Sequence, residues 1–174
     1  MKRALTVVVL SVFLVVPAAF AAQQADACTP APVILTLPYT DSGTTCGATN
    51  DLTNYGGVCG TNLPFPYPGP DVIYAFTTTA GNSVAISASL TGSTGDLALF
   101  VLNSCGVAAS CVQNSQDAIG PGAGPETIAA AAYTVGTHYI YVDSYYGTGS
   151  ASCGTYTLSV TGNLPIDLES FSID

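Results

Sequence analysis

Beyond Arg3, this 174-residue chain contains neither lysine nor arginine. Lys2 and Arg3 stand at its N-terminal end, while eleven acids are spread from Asp26 to Asp174. Whatever the rest folds into, it has no salt bridge to lysine or arginine to draw on. A carboxylate that it buries must be satisfied by backbone N–H groups, hydroxyls or a bound cation. Nucleic-acid binding needs lysine or arginine against phosphate, so that function class is excluded. An anionic membrane surface would repel such a chain. So much acid serves solubility or cation binding, and charge alone does not separate the two.

The two basic residues open a familiar layout. Lys2-Arg3 is followed by an uncharged apolar run from Ala4 to Val16, then Pro17, then the small-x-small site Ala19-Phe20-Ala21. That order predicts a secretory signal peptide over residues 1–22. The run is about 13 residues, short of the roughly 20 that a membrane-spanning helix needs, so no transmembrane segment is expected in the mature chain. Cys28 raises a lipid anchor as an alternative, but Ala25-Asp26-Ala27 before it carries an acid and lies far from the apolar run. The expected location is secreted, in the medium or at the cell surface.

Six cysteines in an exported chain read as three disulfides, with 15 connectivities open. Proximity along the chain favours Cys105 with Cys111 and Cys46 with Cys59, which leaves Cys28 for Cys153. Zinc is the competing use of cysteine. There is no C-x-x-C pair, and His138 is the single histidine, whereas zinc sites want closely spaced Cys and His.

The rest of the pattern is strands and turns. Residues 83–90 alternate, with Val84, Ile86 and Leu90 on one side, and residues 154–160 alternate with Tyr156, Leu158 and Val160. Residues 71–78 and 137–143 are rich in the β-branched and aromatic residues that suit a pleated surface. Leu97–Leu102 is apolar on both faces and reads as a strand buried on both sides. Val33 to Leu37 reads as a first strand. Prolines 64, 66, 68 and 70 rule out a central strand there. Ile119 to Pro125 and Tyr145 to Ser152 read as Gly-rich loops. Ile128 to Ala132 suits either a helix start or a strand leading into Thr137. Together these features predict an all-β fold: a single antiparallel, jelly-roll-like β-sandwich over residues 23–162, stapled by disulfides, with a separate C-terminal segment at 163–174.

Three segments resemble the bacterial pre-peptidase C-terminal (PPC) domain family. Asp71-Val72-Ile73-Tyr74-Ala75-Phe76 is similar to its D-x-x-Y-x-F strand, and Gly95 to Val101 to its D-L-D-L-Y strand. Gly136 to Val142, followed by Gly154 to Leu158, is similar to its G-T-Y-Y-I-x-V strand and ending. The resemblance covers roughly Gly43 to Thr161. Ala98 stands in place of the family's second acid, Phe100 in place of its Tyr, and His138 in place of its first Tyr. The family is mostly non-catalytic, a jelly-roll module of secreted and surface proteins that binds carbohydrate or matrix. The resemblance also implies calcium near the N-terminal segment, here at Asn50, Asp51 and Asp71, with Ala48 where the family's Glu would fall. Leu164 to Phe171 resembles the short L-P-x-x-L-x-S-F segment that follows modules in many bacterial surface proteins; it is expected to be a remnant or a final strand docking on an edge.

The functional expectation is therefore a secreted, non-catalytic module, with a glycan or matrix protein as partner and calcium as the one candidate cofactor. Tyr67, Tyr145 and Tyr146 are the candidate contact residues, because tyrosine rings stack on sugars and peptides while keeping a polar tip in water. The alternative is a self-assembling surface or matrix subunit, in which an open strand edge accepts the C-terminal segment of a neighbour. A hydrolase would have to use His138 with Asp143 and Ser144. His138 shares a strand face with Ile140 and Val142, and no G-x-S-x-G is present, so no catalysis is expected.

Overall fold

The computed structural model describes residues 24–29, 31–59, 66–79, 85–91, 93–116 and 125–162, with residues 85–88 described in backbone only. The expected signal peptide at 1–22, the segment at 163–174, Pro64, Val84, Ile119 and the acid Asp117 lie outside the described residues. Among the described residues, nine strands are arranged in two sheets. They are β1 (Val33–Ile34), β2 (Tyr39–Thr44), β3 (Asp71–Thr78), β4 (Ala85–Thr91), β5 (Leu97–Leu102), β6 (Cys111–Ser115), β7 (Glu126–Ala132), β8 (Gly136–Ser144) and β9 (Thr155–Thr161). The first sheet runs β1-β3-β8-β5-β6 and the second β2-β9-β4-β7. Every pairing is antiparallel except the two-residue β1 against β3.

The sandwich follows from the alternation. Val72, Tyr74 and Phe76 of β3, Leu97, Leu99 and Val101 of β5, and Ile140 and Val142 of β8 pack against Leu90, Ile128, Tyr156, Leu158 and Val160 from the second sheet. Tyr156, Leu158 and Val160 are buried while their neighbours on β9 are not, as a period of two requires. The segment Ile128 to Ala132, open to either reading in the sequence, is a strand.

The first sheet is buried on its other face too. Ile73, Ala98, Phe100, Leu102 and Tyr141 point away from the sandwich and are covered by Leu52, Tyr55, Cys59 and Tyr67. These last four belong to a long connection, here called the strap, which links β2 to β3 across the outside of the sheet. That cover explains β5, all six of whose residues are buried. A second cover is the N-terminal clasp at residues 24–28. Ala25 makes a reciprocal pair of backbone hydrogen bonds with Ile73, at 3.1 and 2.8 Å. The Gln24 amide donates to the Thr44 carbonyl at 2.7 Å, and its oxygen accepts from the Thr44 N–H at 2.8 Å.

The disulfides tie these covers down, and their connectivity corrects the sequence expectation on all three bridges. Cys28 pairs with Cys105, Cys46 with Cys153 and Cys59 with Cys111, and no described cysteine is free. Cys105 and Cys111 are neighbours in the β5–β6 connection, but one holds the clasp and the other holds the strap. Proximity along the chain failed because the bridges join covering segments to the sheet instead of closing short loops. The separations are 77, 107 and 52 residues. In the chain-entropy account, closing loops of that size restricts the unfolded chain by about 4 to 5 kcal/mol each. Three disulfides are compatible with an extracellular location. No helix among the described residues is long and apolar enough to cross a membrane.

Candidate functional site: a buried acid pair beneath the strap

β3 and β8 are paired in a register that sets Asp71 directly opposite Asp143. Both residues are odd-numbered on strands whose even positions fill the sandwich, so both carboxyls lie on the outer face, under the strap. Both are 0 % exposed. Across the next strand pair, Asp143 faces Ala98, which brings no polar group.

Each carboxyl is half satisfied. Asp71 Oδ2 accepts the strap's Asp51 and Leu52 N–H groups at 2.8 and 3.0 Å. Asp143 Oδ2 accepts the Tyr55 hydroxyl at 2.6 Å. The Tyr55 ring lies flat on Phe100, with centroids 3.6 Å apart, and this aims the hydroxyl at the pair. The second oxygens, Asp71 Oδ1 and Asp143 Oδ1, are buried without a hydrogen-bond partner. Such orphaned acceptors are rare and costly, more so when charged.

The electrostatics agree with the geometry. Burial pushes Asp71 up to about 6, with Asp51 and Asp26 adding to the rise and the two strap N–H groups holding it back. Burial likewise lifts Asp143 well above the ordinary carboxylate range, and neighbouring Asp71 adds to it, against the pull of the Tyr55 hydroxyl. Tyr55 itself is raised by burial and then by Asp143. Both shifts favour the protonated form, and no lysine or arginine beyond Arg3 is present to answer the charge of the ionised one.

Asn50 and Asp51, expected beside Asp71 in a calcium site, sit on the exposed side of the strap. Asn50 Oδ1 accepts the Thr53 hydroxyl at 3.5 Å, and Asp51 Oδ1 accepts the Thr49 hydroxyl at 3.2 Å. Thr49 also donates its N–H and its hydroxyl to Asp26 Oδ1, which joins the clasp to the strap. Among the described residues, no three carboxylate, imidazole or thiol groups form a ready metal cage. The acid that the register sets beside Asp71 is Asp143. Sequence reasoning had placed Asp143 only in an imagined catalytic set, because the cross-strand register that unites it with Asp71 is invisible along the chain.

That catalytic set is divided by the sheet. His138 is buried on the inner face, stacked on Phe76 and tilted against Tyr133. Its Nε2 lies 2.7 Å from the Thr134 carbonyl and its Nδ1 2.8 Å from the Asn103 side chain. A carbonyl can only accept, so Nε2 carries the proton; a neutral ring then needs the Asn103 NH2 turned toward Nδ1. Asp143 faces the opposite side of the same sheet, and Ser144 shares its hydroxyl with Thr45 at 2.9 Å.

The tyrosines form a second feature. Tyr67, expected at the surface, is buried and donates its hydroxyl to Gln116 Oε1 at 2.6 Å; the strap it belongs to covers the sheet and takes the ring inward. Tyr145 meets Tyr67 edge-on at 5.4 Å, and Tyr146 meets Tyr145 edge-on at 4.9 Å. Only Tyr146, at 40 % exposure, reaches solvent as a large ring. The loop carrying it is held by Gly69, whose N–H donates to the Ser144 carbonyl at 3.0 Å. A β-carbon on Gly69 would lie 2.4 Å from that carbonyl and 2.6 Å from that of Tyr146, so no side chain fits there.

No family model matches the chain, and no curated protein matches it either.

Proposed function

We propose that this chain is a secreted, non-catalytic extracellular module that binds a glycan or matrix protein through the tyrosine rim at Tyr145 and Tyr146. The observation that carries the reading is the edge-to-face ladder from buried Tyr67 through Tyr145 to exposed Tyr146. An aromatic ring held in place from behind loses little entropy on binding, which is what a recognition surface needs. The burial of His138 on the face opposite Asp143 argues in the same direction, since a base and its partners must lie within hydrogen-bond reach of one another.

The test is a screen of the purified protein against immobilised glycans and matrix proteins, repeated with Tyr146→Ala. A ligand bound by the wild type and lost by the variant, with an unchanged melting midpoint, supports the reading. Retained binding by the variant moves the contact elsewhere. Hydrolysis of any bound ligand by the wild type, abolished in His138→Gln, would replace the module reading with an enzyme.

A second reading, a self-assembling subunit, rests on β1. It is the edge of the first sheet, and Val33 and Leu35, 42 % and 81 % exposed, flank its single buried residue Ile34. Size measurement across protein concentration separates the two: a mass that grows with concentration favours assembly.

A further inference from the structure

We infer that the outer face of the second sheet is a binding surface for crystalline water, an array of serine and threonine hydroxyls that engages ice. The inference rests on a different surface from the tyrosine rim and does not depend on it. The register of the sheet sets the hydroxyls in rows. Thr40, Ser159, Ser89 and Thr127 stand opposite one another across all four strands. Ser42, Thr157 and Thr91 form the next row, across β2, β9 and β4. Thr44 and Thr155 form a third, which Thr94 extends with its Oγ1 3.2 Å from that of Thr155. Opposite residues of paired strands share a face, and the alternate residues of β9, Tyr156, Leu158 and Val160, fill the sandwich on the other. Every position in these rows carries a hydroxyl. Thr40, Ser42, Thr91, Thr127 and Thr155 are exposed.

What the face lacks selects the partner. The chain has a net charge of -9, yet no acid stands in these rows. Asp41 of β2 accepts the Tyr74 hydroxyl between the sheets, and Glu126 of β7 is buried. A neutral face on an acidic chain fits an uncharged partner, and the cations of a mineral would call for the carboxylates that are missing here. No aromatic ring stands in the rows to stack on a sugar, and no large anchor to fill a pocket of another protein. Hydroxyls in a two-dimensional repeat can offer hydrogen bonds in a two-dimensional repeat, and ice is a partner made of nothing else. Neighbouring strands lie about 4.8 Å apart and alternate residues of one strand about 6.8 Å apart; water oxygens repeat over the same few ångströms on the faces of ice. The array is also held stiff. Six of its hydroxyls lie on β2 and β9, which the Cys46–Cys153 bridge staples two residues beyond Thr44 and two before Thr155. Threonine is restricted at χ1, and the Ser42 and Thr157 hydroxyls lie 3.5 Å apart across the strand pair. Hydroxyls fixed before contact lose little entropy on making it.

The experiment uses the disulfide-intact mature protein in dilute buffer, from which ice is grown slowly on a cooled probe. The protein content of the ice is compared with that of the liquid, and the shape of single ice crystals is followed by microscopy. Growing ice rejects ordinary solutes, so the expected result is enrichment of the wild type in the ice and faceted crystals. Thr157→Lys, in the middle of the array, should lose both effects with an unchanged melting midpoint. Tyr146→Ala should keep both, which separates this surface from the tyrosine rim. Wild type left in the liquid, with crystals unshaped, overturns the inference. A folded Thr157→Lys protein that enters the ice as the wild type does also overturns it. Should that variant fail to fold, Thr40→Lys, at an exposed position of the edge strand β2, takes its place with the same two outcomes. Retention on crystalline cellulose or chitin that Thr157→Lys loses, without enrichment in ice, would give the face to a polysaccharide and overturn the inference as well.

Discussion

His138 is the one side chain of its kind, which makes it a clean reporter. Burial lowers its pKa, and the Thr134 carbonyl opposes that only in part. A histidine lowered in the folded state favours folding while neutral. Its contribution is complete above the unfolded value near 6.5 and is lost as the pH falls from there toward the folded value. The single imidazole resonance should therefore titrate by NMR with a midpoint below 6.5; a midpoint at or above it would mean that the ring is charged in its pocket. Tyr55 offers a second test at this scale. Tyr55→Phe keeps the ring on Phe100 and removes only the hydroxyl that serves Asp143. Taking that hydroxyl from a buried carboxyl whose other oxygen is already unpartnered should cost about 1–3 kcal/mol in urea unfolding. Tyr146→Ala, at an exposed position, should stay within about 0.5 kcal/mol of wild type.

Among the elements, the strap is where covalent and polar ties concentrate. Peptide mapping without reduction should find Cys28–Cys105, Cys46–Cys153 and Cys59–Cys111. A bridge between Cys105 and Cys111 would contradict the fold described above. Replacing Cys59 and Cys111 together by serine should cost roughly 2–5 kcal/mol and admit chymotrypsin to Tyr55 and Tyr67, both buried under native conditions. The strands that carry alternation were legible from the residues alone: β3 falls on Asp71–Thr78, and β9 buries Tyr156, Leu158 and Val160 as its pattern requires. β2 and β6 were not legible, since Tyr-Thr-Asp-Ser-Gly-Thr and Cys-Val-Gln-Asn-Ser carry too few apolar residues to mark a period. Val33 to Leu37 was read as a full strand, but pairing stops at Ile34. The candidate site was half legible. Asp71 announces itself by preceding an apolar strand, whereas Asp143 becomes its partner only through a register spanning 72 positions of chain. The disulfides were misread for the same reason, since long-range closure leaves no trace in local spacing.

At the scale of the whole molecule, the absence of basic residues makes a simple test. Reduced, alkylated and unfolded chain should yield no tryptic cut beyond Arg3, and any internal tryptic peptide would contradict the sequence. The order of strands has a consequence in time. β9 lies in the middle of its sheet, between β2 and β4, and Cys153 just before it receives Cys46. The chain is synthesised from the other end. Until residue 161 has been made, β2 and β4 have an empty place between them, and half of the sandwich has nothing to close against. A nascent chain stopped short of β9 should accordingly show no protected amides in β2 in hydrogen exchange, and their protection should arrive with β9. The second sheet cannot be assembled piecemeal as it emerges; β2 and β4 must wait apart, and Cys46 unpaired, until β9 and the cysteine before it have been made.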